Sequence, residues 1–183
     1  MMILSLLPVQ AWAIEAHVES VADYVGVPAD ILYSMALAES GYRDEASNFK
    51  PWPWTLNVEG EPKRYSSRED MFKDLMRILG EGKLRVDIGP MQTNWFWQFD
   101  KLQNPWRATH PAINLKIAAE LLKAYYDEHG DWWVAVGLYH RPRQEASDQP
   151  IRDAYVERVR RHHQQRVKRM RQSEGLTLVG GAK

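Results

Sequence analysis

Apolar residues fall at helical spacing along most of the chain. Ile14, Val18, Val21, Ala22 and Val25 form one stripe, and Gly26 follows it as a stop. Pro28 suits a first helical turn and Asp30 its positive end. The helix they open runs through Ile31, Leu32, Tyr33, Met35, Ala36, Leu37 and Ala38 to Gly41. It is apolar on nearly every side, which predicts a buried helix. Ser66 to Glu69 reads as a capping box ahead of Met71, Phe72, Leu75, Met76 and Leu79, with Gly80 as the stop. Pro111 to His129 is a long helix whose inner face carries Ile113, Ile117, Leu121, Leu122 and Tyr125. Asp131 caps a helix over Trp132 to Tyr139, and Ile151 to Met170 forms a last one with a thin stripe of Tyr155, Val159 and Val167.

Between these helices the pattern changes. Trp54 to Val58 is β-prone, Glu59 to Pro62 turns, and Lys63 to Tyr65 returns as a second short strand. Glu81 to Pro90 reads as a loop, Met91 to Phe99 as a short helix, Arg141 to Pro150 as a polar loop and Gly175 to Lys183 as a loose tail. No stretch repeats. The expected fold is one mainly α domain with one small β-hairpin.

Met1 to Ala13 reads as a signal peptide, with an apolar run from Met2 to Val9 and small residues flanking Trp12. That run is too short to span a bilayer, and no Lys or Arg precedes it. The expected division is a leader over 1–13, a folded domain over 14–160 and a basic helix end with a flexible tail over 161–183. Export to the periplasm follows from the leader, with no transmembrane helix in the mature chain.

The chain has 183 residues, no net formal charge and no cysteine. Neutrality argues against a dedicated nucleic-acid binder. The missing cysteine excludes disulfides, thiolate metal sites and cysteine nucleophiles. From Ile151 to Gln172, however, eight basic residues stand against two acidic ones, a local charge of +6. A solvated face is the plain reading of that segment, and attraction to an anionic surface is the functional one. Eight Trp and eight Tyr fit either a large core or a groove that stacks flat-faced ligands. His129, His162 and His163 have no partner at metal-ligand spacing, and no glycine-rich phosphate loop is present. No metal and no cofactor is expected.

Glu39 is the residue that stands out. It ends a helix that is otherwise apolar, with no Lys or Arg in the four residues before it. Apolar surroundings and the negative helix end both favour its neutral form, which is what a general acid requires. The plain alternative is an ion pair with Arg43 or Arg85.

Three short stretches carry a family resemblance. Ala38, Glu39, Ser40, Gly41 and Tyr42, on a helix beginning at Val27, Pro28 and Ala29, resemble the first motif of the soluble lytic transglycosylase family. Gly89, Pro90, Met91, Gln92, Thr93 and Asn94 are similar to its second, Gly-Leu-Met-Gln followed by a hydrophobic residue and Asn. Leu138, Tyr139 and His140 stand where its third, Ala-Tyr-Asn, belongs, after the long helix that carries Asn114 to Ala119. Together they cover 14–159. The stretch from Pro51 to Val58 also resembles transglycosylases encoded with conjugation and integrating-element transfer systems.

The resemblance implies a lysozyme-like fold of the α+β superfamily. It implies cleavage of the β-1,4 bond from N-acetylmuramic acid to N-acetylglucosamine, with the muramic 6-hydroxyl closing on C1 to leave a 1,6-anhydro end. Glu39 would serve as the single acid and base. Gln92 would bond substrate, Met91 line the cleft, Tyr139 hold Glu39 through its hydroxyl, and Ser40 and His140 face substrate. The implied partners are peptidoglycan strands and the proteins of a secretion or conjugation apparatus.

Pro90 and His140 depart from the family pattern, which leaves open a wall-binding or scaffold protein without activity. A hydrolytic lysozyme on the same fold and a DNA-transfer accessory acting through the basic helix are the other readings. Asp44 and Glu45 read as solvated and Asp87 as a loop residue. Two of Trp52, Trp54, Trp95, Trp97 and Trp106 are expected in the cleft.

Overall fold

The computed structural model describes residues 9–44 and 47–180, and side chains among them from 14 to 172. Most of the leader expected over 1–13 lies outside the described residues. Helix α1 runs Val9–Val25 and α2 Ala29–Ser40, with Pro28 as the N-cap of α2. The strands β1 (Gly41–Arg43) and β2 (Phe49–Pro51) form an antiparallel ribbon. β3 (Thr55–Val58) and β4 (Glu61–Arg64) form the expected hairpin. After α3 (Arg68–Gly80) come β5 (Val86–Ile88), β6 (Thr93–Asn94) and the short helices α4 (Phe99–Leu102) and α5 (Pro105–Ala108). The chain closes with α6 (Pro111–His129), α7 (Trp132–His140) and α8 (Gln149–Gly180). The protein is mostly helical with two small antiparallel sheets.

Helix α2 is central, as its all-round apolar sequence requires: Ile31 to Leu37 are all buried. It packs on α1 and on α8. Met91 from the β5–β6 turn and residues of α6 and α7 complete this first core. A second core lies under the sheet, where Leu56, Val58, Val86 and Ile88 meet Met71, Leu75 and Ile78 of α3. Helix α6 serves both cores. Leu115, Ala118, Ala119 and Leu122 join the first core, where α6 packs on α1 and α7, whereas Ile117, with Ile113 and Leu121 beside it, joins the second.

Several expectations are corrected. The single hairpin is part of a four-stranded sheet in the order β4-β3-β5-β6. Its last two strands come from segments read as a loop and a helix, because strands of three and two residues are too short to show a period of two. The cap of α3 is Ser67, whose hydroxyl accepts from the Asp70 N–H at 3.1 Å, one residue beyond the expected box. Met76 is half exposed, and Ile78 takes its place in the core. Helix α8 continues through Gly175 to Gly180 instead of fraying into a tail. One interior glycine costs a helix only about 1 kcal/mol against alanine, too little to force a stop. Gly181 to Lys183 lie outside the described residues.

Candidate active site

The C-terminal end of α2, the β5–β6 turn, α6 and the end of α7 enclose a cavity of about 760 Å³. Glu39, Asp87, Gln92, Trp97, Tyr139 and His140 stand in its wall. The two cores explain why it lies there. Glu39 comes from the helical half and Asp87 from the sheet half, and the seam between halves stays open.

Gly41 lets α2 end beside β2. A Cβ there would collide with Phe49 and with the Leu37 carbonyl, so only glycine lets the ribbon approach this closely. The β5–β6 turn is held from α6 by Asn114, which is fully buried. Its Nδ2 donates to the Ile88 carbonyl at 2.7 Å, and its Oδ1 accepts from the Met91 N–H at 2.9 Å. Gly89 has φ +73°, and an added Cβ would lie 2.9 Å from the Asn114 side chain. Both facts require glycine. The N–H groups of Gly89 and Gln92 also have acceptors, on Thr55 and Gly89, so the turn is tied on both sides of Pro90.

Glu39 is half-buried, and its Oε1 accepts from the Tyr155 hydroxyl at 2.6 Å. Burial raises its pKa to about 7, Tyr155 and Arg158 oppose that rise, and Asp87 adds to it. Neither Arg43 nor Arg85 pairs with it: Arg43 donates to the Ser47 carbonyl and lies over Phe49, and no ion pair to Glu39 occurs among the described residues. Tyr155 is 2 % exposed, and burial followed by the Glu39 charge raises its pKa well above the usual tyrosine value. It therefore stays a donor. The His140 ring stacks on Tyr155 at 4.2 Å. Burial, then Arg158 and Arg141, push the His140 pKa down to about 4, so its ring is neutral at neutral pH.

Asp87 is a further carboxyl of the cavity, on the inner wall with Glu39, whereas Glu145 and Asp148 belong to the outer wall. Asp87 lies on β5 and not in a loop, and burial raises its pKa while the Asn94 amide opposes the rise. The outer wall is the segment from Arg141 to Asp148. Arg152, buried beneath it, donates to the Arg143 carbonyl and to Gln149 Oε1.

The expected site residues separate into two groups. Glu39, Gln92, Tyr139 and His140 share the cavity. Gln92 also donates from Nε2 to the Gly89 carbonyl at 2.9 Å, with φ +48°. Ser40 and Met91 do not face the cavity. The Ser40 hydroxyl is buried and shared between the Ala36 and Pro90 carbonyls at 3.0 and 2.9 Å. The Met91 side chain is fully buried in the first core, because the turn points it back toward α2. Tyr139 does not hold Glu39: its hydroxyl donates to the Met91 carbonyl at 2.7 Å, and Tyr155 takes the expected part. Of the five candidate tryptophans only Trp97 lines the cavity, at 66 % exposure. Trp95 lies in the second core with Trp54 against it, Trp52 donates to the Tyr65 carbonyl, and Trp106 lies under Arg68.

Tyr155 and Asp87 are the functional candidates the chain order conceals. Tyr155 reads as one residue of an apolar stripe, 116 positions from its carboxyl partner. Asp87 reads as loop because its strand is three residues long.

Among the described residues, no group of three or more His, Asp or Glu side chains is placed to hold a metal, and no helix is long and apolar enough to cross a membrane. Comparison with protein-family models, curated proteins and solved structures returned no match.

Proposed function

We propose that this protein is a peptidoglycan lytic transglycosylase with a lysozyme-like fold, and that it acts outside the cytoplasm. The observation that carries the reading is the state of Glu39. A carboxyl with a pKa of about 7 stands in the wall of a cavity large enough for sugar rings, oriented by Tyr155. It is protonated below that pH and can give its proton to the glycosidic oxygen. As a carboxylate it can then take the proton of the muramic 6-hydroxyl while that oxygen closes on C1. One carboxyl serves both steps. Exposed Trp97 offers a flat face at the cavity edge, suited to stacking a sugar.

Tyr139 has its hydroxyl engaged within the protein, so its part is to shape the wall, whereas Gln92 spends one amide N–H on the Gly89 carbonyl and its side-chain oxygen is left to bond substrate. His140, which the resemblance sets at the family's asparagine, is a neutral ring packed on Tyr155. The resemblance of Pro51 to Val58 to transfer-system enzymes supports a task in local wall opening for a secretion or conjugation apparatus.

Asp87 favours a second reading, a hydrolytic lysozyme, since paired carboxyls are the usual equipment for water attack. Digestion of purified peptidoglycan by the full chain and by Glu39→Gln, with mass analysis of the fragments, separates the two. Anhydro fragments, one water lighter than hydrolytic ones and absent with Glu39→Gln, are expected. Water-added fragments would establish the lysozyme. An intact wall under both proteins would overturn the enzymatic reading.

A further inference from the structure

Of the three other carboxyls in the cavity wall, Glu145 and Asp148 stand on the outer segment, and only Asp87 stands on the sheet. Asp87 has no part in the steps above, yet several elements hold it in place. On β5, Asp87 pairs with Asn57 of β3 and with Asn94 of β6. Its Oδ1 accepts from Asn94 Nδ2 at 2.8 Å. The amide itself cannot turn over, because Asn94 Oδ1 accepts the N–H groups of Phe96 and Trp97 at 3.1 and 3.3 Å. Asp87 Oδ2 makes no hydrogen bond among the described residues, and the side chain stands in the wall of the cavity that holds Glu39. No cation pairs with Asp87 among the described residues.

A half-buried carboxylate with one amide donor and no cation is a poor way to stabilise a fold. Burial without compensation is instead characteristic of sites where the missing positive charge develops during a reaction. The surroundings of the two carboxyls also differ. Glu39 is closed in by Tyr139 and Tyr155, whereas Asp87 has an amide N–H aimed at it. Unequal surroundings of this kind divide two neighbouring carboxyls into one acid and one anion.

We propose that Asp87 is a second catalytic residue, whose carboxylate stabilises the positive charge that forms at the anomeric carbon when Glu39 protonates the leaving oxygen. The inference rests on the glycosidase reading of the cavity. In the first step the C1–O bond breaks, its electron pair stays with the leaving oxygen, and the Glu39 proton completes the new hydroxyl. C1 becomes positive beside Asp87, and no bond to Asp87 forms. In the second step the 6-hydroxyl oxygen bonds to C1 and its proton passes to the Glu39 carboxylate. Glu39 ends as it began, and Asp87 stays an anion throughout.

The test compares the full chain with its Asp87→Asn variant, which keeps the shape and still accepts from Asn94. Two readouts are needed: turnover of peptidoglycan, and affinity for two small sugars, neutral tri-N-acetylchitotriose and a cationic iminosugar analogue of N-acetylglucosamine. Asp87→Asn should lower kcat by about 100-fold with KM little changed. It should weaken the cationic ligand by about tenfold and leave the neutral one unaffected. Asn94→Ala keeps the charge but frees its orientation. It should lower kcat by about tenfold, which guards against a folding defect in the first variant.

A kcat within about threefold of the unsubstituted chain would refute the role of Asp87 alone. So would an equal loss of affinity for both sugars, which a purely structural carboxylate predicts. An unsubstituted chain that neither cuts glycan nor binds either sugar would sink the glycosidase reading, and this inference with it.

Discussion

Glu39→Gln should stabilise the protein above neutral pH. The Glu39 carboxyl has an ordinary value of 4.5 in the unfolded chain and about 7 in the folded one. From pH 4.5 to about 7 the folded state therefore holds a proton that the unfolded state has released. Stability falls with rising pH across that window, because the unfolded state binds fewer protons. Each pH unit of separation corresponds to 1.36 kcal/mol, so the full loss has an upper bound of about 3 kcal/mol. Water in the cavity relaxes part of it, leaving about 1–3 kcal/mol at pH 8.

A glutamine removes the titration and keeps an oxygen to accept from Tyr155. Thermal unfolding of the two proteins should coincide at pH 4. At pH 8 the variant should melt higher by about 2–12 °C, from 2–4 °C per kcal/mol for a chain of this size. Equal melting temperatures at both pH values, or a variant less stable at pH 8, would refute the claim that the fold holds Glu39 under strain.

Other consequences concern its neighbours. Tyr155→Phe removes the donor that lowers the Glu39 pKa. A hydrogen bond to a charged group contributes about 1.5–3 kcal/mol, so the Glu39 titration should move up by about one unit or more, read as the basic limb of the pH–rate profile or by carboxyl NMR. Met91→Ala should cost about 2–5 kcal/mol in urea unfolding, as a buried core truncation does, while sugar affinity stays near that of the parent chain. A variant that binds sugar weakly but folds normally would return Met91 to the cavity wall. Asn114→Ala orphans two buried backbone groups, the Ile88 carbonyl and the Met91 N–H, and should cost about 2–5 kcal/mol in the same assay. A loss under about 0.5 kcal/mol would mean that water replaces both contacts.

The amino-acid sequence by itself determined the helical frame. Apolar runs bounded by Pro28 and Gly41, by Pro111, and by Asp131 place α2, α6 and α7 within a residue of their observed bounds, because start and stop residues act locally. It also singled out Glu39, since a carboxyl ending an apolar helix is a local anomaly that needs no tertiary knowledge to see. Strands β5 and β6 left no periodic imprint, as they are shorter than one cycle of a readable pattern.

The rest was decided by tertiary structure. Whether Met91 points to the cavity or to the core depends on the direction of one turn, which Asn114 sets from 23 residues away. Whether Glu39 meets an arginine or a tyrosine depends on where α8 crosses α2, and that crossing brings Tyr155 to the carboxyl. Asp87 joins Glu39 in the cavity wall only because β5 lies at the seam between the two cores. Periodicity reports which side of an element is apolar. Which partner that side meets is decided by packing among distant elements, and packing leaves no mark on neighbours in the chain.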